Sequence, residues 1–143
     1  MIHSTLLINK AGGLIYNKDF TTALNKLSSN ESLVLAGTLH GIYALTAQIS
    51  PVPNSTGFNV LECGQFKIMC HVTLTGNFIL VILGLKIILL CDPQQSNIDG
   101  VIRKIYEIYA DYAMKCPFVK VDMPLRSELF DSAMQKLIKV INS

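Results

Sequence analysis

Charge is what this chain has least of. Twelve basic and ten acidic residues among 143 amount to 15% charged, against about 25% in ordinary soluble domains. The deficit is local. Met1 to Glu31 carries five charged side chains and Asp92 to Ser143 carries fourteen, whereas Ser32 to Cys91 carries three: Glu62, Lys67 and Lys86. A net charge of +2 with no Lys/Arg cluster argues against a dedicated nucleic-acid binder, which needs a basic footprint on one face. Low-complexity tracts are also missing, so the composition is not that of a disordered chain. The opening Met1-Ile2-His3-Ser4 lacks the basic and long apolar regions of a secretory leader, and none is expected. CxxC spacing is absent from the four cysteines, Cys63, Cys70, Cys91 and Cys116. Buried free thiols in a cytoplasmic protein are the expectation, with disulfides or a metal site as the sharper alternative.

No apolar run is long enough to be an unambiguous membrane span. Phe78 to Cys91 is fourteen residues interrupted by Lys86, whereas a spanning helix needs about 20. Extending back to Val72 reaches that length only by including Thr73, Thr75 and Asn77. β-Branched residues and the Gly76-Asn77 break favour strands here, with a span as the alternative.

What is present fits one domain over residues 1–143, long enough to bury a sizeable core. Two apolar runs flank Gly12-Gly13, at Ser4–Asn9 and Leu14–Tyr16, and read as a tight hairpin. A phosphate-cradling loop is the sharper reading of the same glycines, unsupported by any GxGxxG or GK[ST] pattern. Asn17 to Asn30 reads as a polar loop. Asn30 then caps a helix that begins near Glu31 and runs to Ser50, where Pro51 and Pro53 stop it. At 100° per residue, Val34, Leu35, Leu39, Ile42, Tyr43, Leu45 and Ile49 fill one half of that helix and are its expected core side. The other half holds Ala36, Gly37, His40, Gly41, Ala44, Ala47 and Gln48. It is small and uncharged, so it is expected to be covered by another chain. The candidate partner-binding residues are therefore Gly37, His40, Gly41, Ala44 and Ala47.

Beyond Gly57 the pattern becomes period two. Strands are expected at Phe58–Glu62, Phe66–Leu74 and Leu85–Leu90, with turns at Gly64 and Gly76-Asn77. Ser96-Asn97 caps a second helix striped by Ile98, Val101, Ile102, Ile105, Ile108, Tyr109 and Tyr112, with Lys115 in its last turn before Pro117. Pro124 or Ser127 opens a third, with Leu125, Leu129, Phe130, Ala133, Leu137, Ile138 and Ile141 as its buried side. The order β-β-α-β-β-β-α-α predicts an α+β fold: a five-stranded antiparallel sheet with one helix on one face and two on the other.

Catalytic patterns are thin. His3, His40 and His71 are scattered, and HExxH and GxSxG are missing. Adjacent Cys70 and His71 would point to opposite faces of a strand. No catalytic, metal or cofactor residues are assigned, and an enzyme is not expected.

Several strings in order carry a family resemblance: Asn9 to Tyr16, Thr73-Leu-Thr-Gly76, Arg103 to Asp111, Pro117-Phe118, and Met123 to Asp131. Together they resemble the synbindin (sybindin-like) small core subunits of the TRAPP tethering complex, over nearly the whole chain. The resemblance implies a longin-like (SNARE-like) fold. It also implies a place in a vesicle-tethering assembly acting between endoplasmic reticulum and Golgi, with other small TRAPP subunits as partners. That assembly exchanges guanine nucleotide on a Rab GTPase of the Rab1/Ypt1 type, without catalytic residues in this subunit. Membrane association would be peripheral and indirect, at endoplasmic reticulum and cis-Golgi membranes. A longin-type module of another trafficking assembly, an adaptor small subunit or a SNARE regulator, is the alternative. Two departures stand out. A PDZ-like insert found in some animal members has no counterpart in Asn17–Asn30. Asn77 to Gly84, in contrast, looks inserted relative to the family's turn-to-strand junction.

Overall fold

The computed structural model describes residues 1–9, 12–22, 26–51, 57–72, 86–111 and 128–143. Eight elements follow one another: β1 (Ile2–Ile8), β2 (Leu14–Asp19), α1 (Ser29–Ile49), β3 (Val60–Glu62), β4 (Lys67–Val72), β5 (Lys86–Cys91), α2 (Ile98–Tyr109) and α3 (Glu128–Asn142). The strands form one sheet in the order β2-β1-β5-β4-β3, and every pairing is antiparallel. The expected element order and sheet are both observed.

β1 and β5 pair at the centre of the sheet and are covered on both faces, which explains their near-continuous apolar sequences. Side-chain alternation sends Leu7, Ile87, Leu89 and Cys91 to one face and Leu6, Ile8 and Ile88 to the other. The first set meets α2 and α3 through Val101, Ile105, Tyr109, Phe130, Met134 and Ile138. The second meets α1 through Ala36 and Leu39, with Phe58 closing one side. Phe130 is fully buried, and its ring meets Tyr16 edge-on at 4.9 Å and Tyr109 at 6.2 Å. The Tyr16 hydroxyl donates to Asp131 at 2.7 Å, and Lys18 bonds the same carboxylate at 3.2 Å. Asn142, in the last turn of α3, grips the backbone of Ile2 at both its amide (2.8 Å) and its carbonyl (3.1 Å).

The β1–β2 connection is a turn. Gly12 adopts φ +89°, which excludes most side chains, and the Gly12 and Gly13 amides donate to the Asn9 carbonyl and side chain. With both amides engaged locally, the hairpin reading holds over the phosphate loop.

Four local expectations are corrected. β2 runs on to Asp19, taking the first residues of the expected loop. α1 is capped by Ser28, two residues before Asn30, because Ser28 and Glu31 form a reciprocal capping box that satisfies two amides at once. Asn97 precedes α2 in a left-handed conformation and makes no side-chain cap. Leu129 is 69% exposed, while the unassigned Met134 is fully buried in its place. Tyr112, Lys115, Cys116, Pro117, Pro124, Leu125, Ser127 and the Asn77–Gly84 insertion lie outside the described residues, as does most of the apolar run considered for a span.

Candidate partner-binding face

α1 carries the site. Its 21 residues are apolar on nearly every side, so the helix can bury several different faces, and contacts with the sheet choose one. Ser32, Ala36 and Leu39 are buried, and Leu35, Ile42 and Tyr43 pack partly against the same core. The Asn17 side chain donates to the Ser32 hydroxyl at 3.0 Å, tying the helix start to β2. At the other end, the Thr46 hydroxyl accepts from the Phe58 amide at 2.9 Å, and Tyr43 meets the Phe58 ring at 6.0 Å.

This orientation corrects the expected core side. Val34, Leu45 and Ile49 are exposed, at 68%, 60% and 77%, together with Leu33 at 53%. The helix is rotated so that the small inward residues Ser32 and Ala36 let it sit close on the sheet. The outer surface is therefore both small and apolar: Gly37, Gly41 and Ala44 are flanked by Leu33, Val34, Leu45 and Ile49. Apart from the helix's own adjoining backbone, no described heavy atom lies within 4 Å of where a Cβ on Gly37 or Gly41 would stand. By length and composition alone, with a mean hydropathy of 1.3, α1 could also cross a membrane; here its inner side is packed on the sheet.

Of the five residues assigned from sequence, Gly37 and Ala44 lie on this outer surface, and Gly41 borders it. His40 and Ala47 sit on the flank, half-buried. His40 packs against the β1–β2 turn, so closely that a Cβ on Gly12 would lie 2.9 Å from its ring. Its Nδ1 is buried and has no hydrogen-bond partner among the described residues.

Sequence reasoning missed what stands beside it. Lys86, the first residue of β5, is buried beneath α1, with its Nζ 5.2 Å from the centre of the Tyr43 ring. Burial lowers its pKa, an effect partly offset by Cys70. Burial also lowers that of His40, assisted by the Lys86 charge, and pushes the Cys70 thiol up to about 11. The signal was available, since Lys86 is the lone charge within a long apolar run.

Other polar groups are accounted for differently. His3 bonds Asp92 at 2.7 Å and Thr21 at 2.8 Å, holding the end of β5 to the start of the β2–α1 connection. Cys63 is exposed, Cys70 and Cys91 are buried, and all three are free. Among the described residues, no cluster of three or more His, Cys, Asp or Glu side chains could hold a metal ion.

The sheet order, with one helix on one face and two on the other, defines a longin-like domain. A chain in a homology model of the full-length AP-3 complex superimposes with a TM-score of 0.50 at 12% identity, over 99% of this chain and 94% of that one, a likeness of fold alone. The Sybindin-like family pattern matches residues 2–141, and the chain belongs to that family. Trafficking protein particle complex subunit 4 of Dictyostelium discoideum is 36% identical over 140 residues, covering 97% of both chains. Subunit 4 of Homo sapiens is 44% identical over 115 residues, covering 80% of this chain. The chain spans about half the length of that human relative, 49% of which is matched.

Proposed function

We propose that this chain is a core subunit of a TRAPP-type vesicle-tethering assembly, contributing as a single longin-like domain to the surface that exchanges nucleotide on a Rab1/Ypt1-type GTPase. The observation that carries the reading is the uncharged outer surface of α1, where exposed Val34, Leu45 and Ile49 surround glycines open to close approach by another backbone. Isolated exposed apolar residues are ordinary, but a contiguous apolar strip marks an interface. Family membership supports the identity of the assembly, and its other small subunits are the natural partners. Gly37, His40, Gly41, Ala44 and Ala47 form the contact, with Leu33, Val34, Leu45 and Ile49 added to it.

Within such an assembly this subunit needs no reactive group. Exchange follows when the composite surface binds the nucleotide-free GTPase more tightly than the nucleotide-bound form, which shifts the population between them. The site of action is the cytoplasmic side of endoplasmic reticulum and cis-Golgi membranes, reached through the assembly and without direct insertion.

Gly41→Arg tests the reading. The added side chain enters open space, so the chain should fold while a long cation blocks the strip. Tagged purification from cells is expected to recover the other small TRAPP subunits with the parent chain and to lose them with Gly41→Arg. Undiminished recovery with the variant refutes the assigned face. Recovery of adaptor subunits instead refutes the assembly.

A further inference from the structure

Lys86 is a buried cation with no anion beside it among the described residues. It is 7% exposed, and its recorded partner among the described residues is the face of the Tyr43 ring. A carboxylate would be the ordinary companion of such a group, because burying an unpaired ammonium is costly. Register and element position keep the described carboxylates away; Asp122 lies outside the described residues. Lys86 pairs with Val72 and Ile8 at one end of the sheet. Glu62 pairs with Lys67, at the opposite end of β4, and Asp92 follows Cys91 at the opposite end of β5. Five residues of strand separate the two ends by roughly 17 Å. Asp19 lies opposite Ser4, also towards the far end of β1. Glu31 is committed to the Ser28 cap, and the acids of α2 and α3 belong to the helices on the other face of the sheet. Residues 52–56 and 73–85 contain neither Asp nor Glu in their sequence.

His40 adds a second unmatched group at the same place. Its Nδ1 is buried without a partner among the described residues, and the Lys86 charge lies close enough to oppose protonation of His40. His40 and Tyr43 are both partly exposed, so Lys86 is buried beneath residues on the flank of the apolar strip of α1.

We infer that Lys86 and His40 form a recess for a carboxylate, an Asp or Glu side chain of the protein that docks on the small face of α1. The Lys86 ammonium supplies the charge, and His40, protonated on Nδ1, donates a hydrogen bond. The apolar strip supplies area without selectivity, and this recess supplies the polar contact that fixes register and rejects an uncharged or basic competitor. The inference rests on α1 being the docking face, as proposed above.

The experiment uses the complex recovered with the tagged parent chain. Zero-length carbodiimide coupling followed by peptide mass spectrometry should join Lys86 to an Asp or Glu of a partner. Lys86, 7% exposed, should acetylate slowly in the free chain and not at all in the complex. Lys86→Met is expected to unfold no earlier than the parent, since it removes a buried charge, yet to bind the partner at least about 30-fold more weakly. If Lys86→Met binds like the parent while Gly41→Arg releases the partner, the recess falls and the docking face stands. If neither variant releases the partner, both fall. Should Lys86→Met fail to fold, the parent complex decides alone: a Lys86 that couples there to no partner acid overturns the inference.

Discussion

Phe130→Ala is the sharpest test of how the two-helix side of the sheet is built. The side chain is fully buried and joins three elements, since its ring lies edge-on to Tyr16 of β2 and Tyr109 of α2 while its own backbone belongs to α3. Removing a buried phenylalanine costs about 3–5 kcal/mol in lost transfer energy and cavity. Each edge-to-face pair adds about 0.5–1.5 kcal/mol beyond area. The next residue, Asp131, holds the Tyr16 hydroxyl, so relaxation of α3 into the cavity is resisted and the loss should sit near the upper figure. A destabilisation of about 4–5 kcal/mol is expected, a large share of the about 5–15 kcal/mol that holds a domain together. It would lower the melting temperature by roughly 12–25 °C at this chain length. Urea denaturation followed by far-UV circular dichroism measures it directly. Phe130→Leu keeps most of the apolar volume but no ring edge, and should cost about 1–2 kcal/mol. A loss below about 1.5 kcal/mol for Phe130→Ala, or equal losses for the two variants, would refute the three-element junction.

Further outcomes follow from single residues. Gly12→Ala forces a side chain onto φ +89° and against the His40 ring, and should cost about 1–3 kcal/mol in urea titrations; an unchanged midpoint would mean the turn relaxes freely. In thiol labelling of the native chain, Cys63 should react fast, whereas burial and the raised thiol pKa keep Cys70 slow, and equal rates would contradict the packing. Asp92 has its pKa lowered, chiefly by the hydrogen bond from His3. That contribution is present above the usual carboxylate value near 4 and is lost as pH falls through the lowered one. Asp92→Asn should therefore flatten the acid end of the stability–pH curve, and an unaltered slope refutes the link.

The element order was legible because its signals are local and strong: period two in β3 and β4, amphipathic stripes in α2 and α3, and two continuous apolar runs that become central strands. The family strings added the fold type. What escaped was direction within an element. α1 is apolar almost all round, so a helical wheel finds two plausible inner faces. The choice fell to Asn17 bonding Ser32 and to Thr46 holding Phe58, contacts between residues distant along the chain. The cap at Ser28 was missed because Asn30 offers the same chemistry, and a reciprocal bond with Glu31 decided between them. Of the candidate face, its lack of charge was readable. The recess beneath it was not, since it depends on strand register placing Lys86 far from Glu62 and Asp92.

The pairing of β1 with β5 sets a timetable for synthesis. β1 finds β2 at once through a short hairpin, but its other edge waits for a strand roughly 80 residues later, which at about 5–20 residues per second is on the order of 4–16 s on the ribosome. Throughout that interval an apolar strand stands with one row of backbone groups open, the arrangement that invites edge-to-edge association. The nascent chain therefore has a defined window of vulnerability, opened by β1 and closed by β5, during which α1 emerges and can shield one face of the hairpin before the sheet is complete.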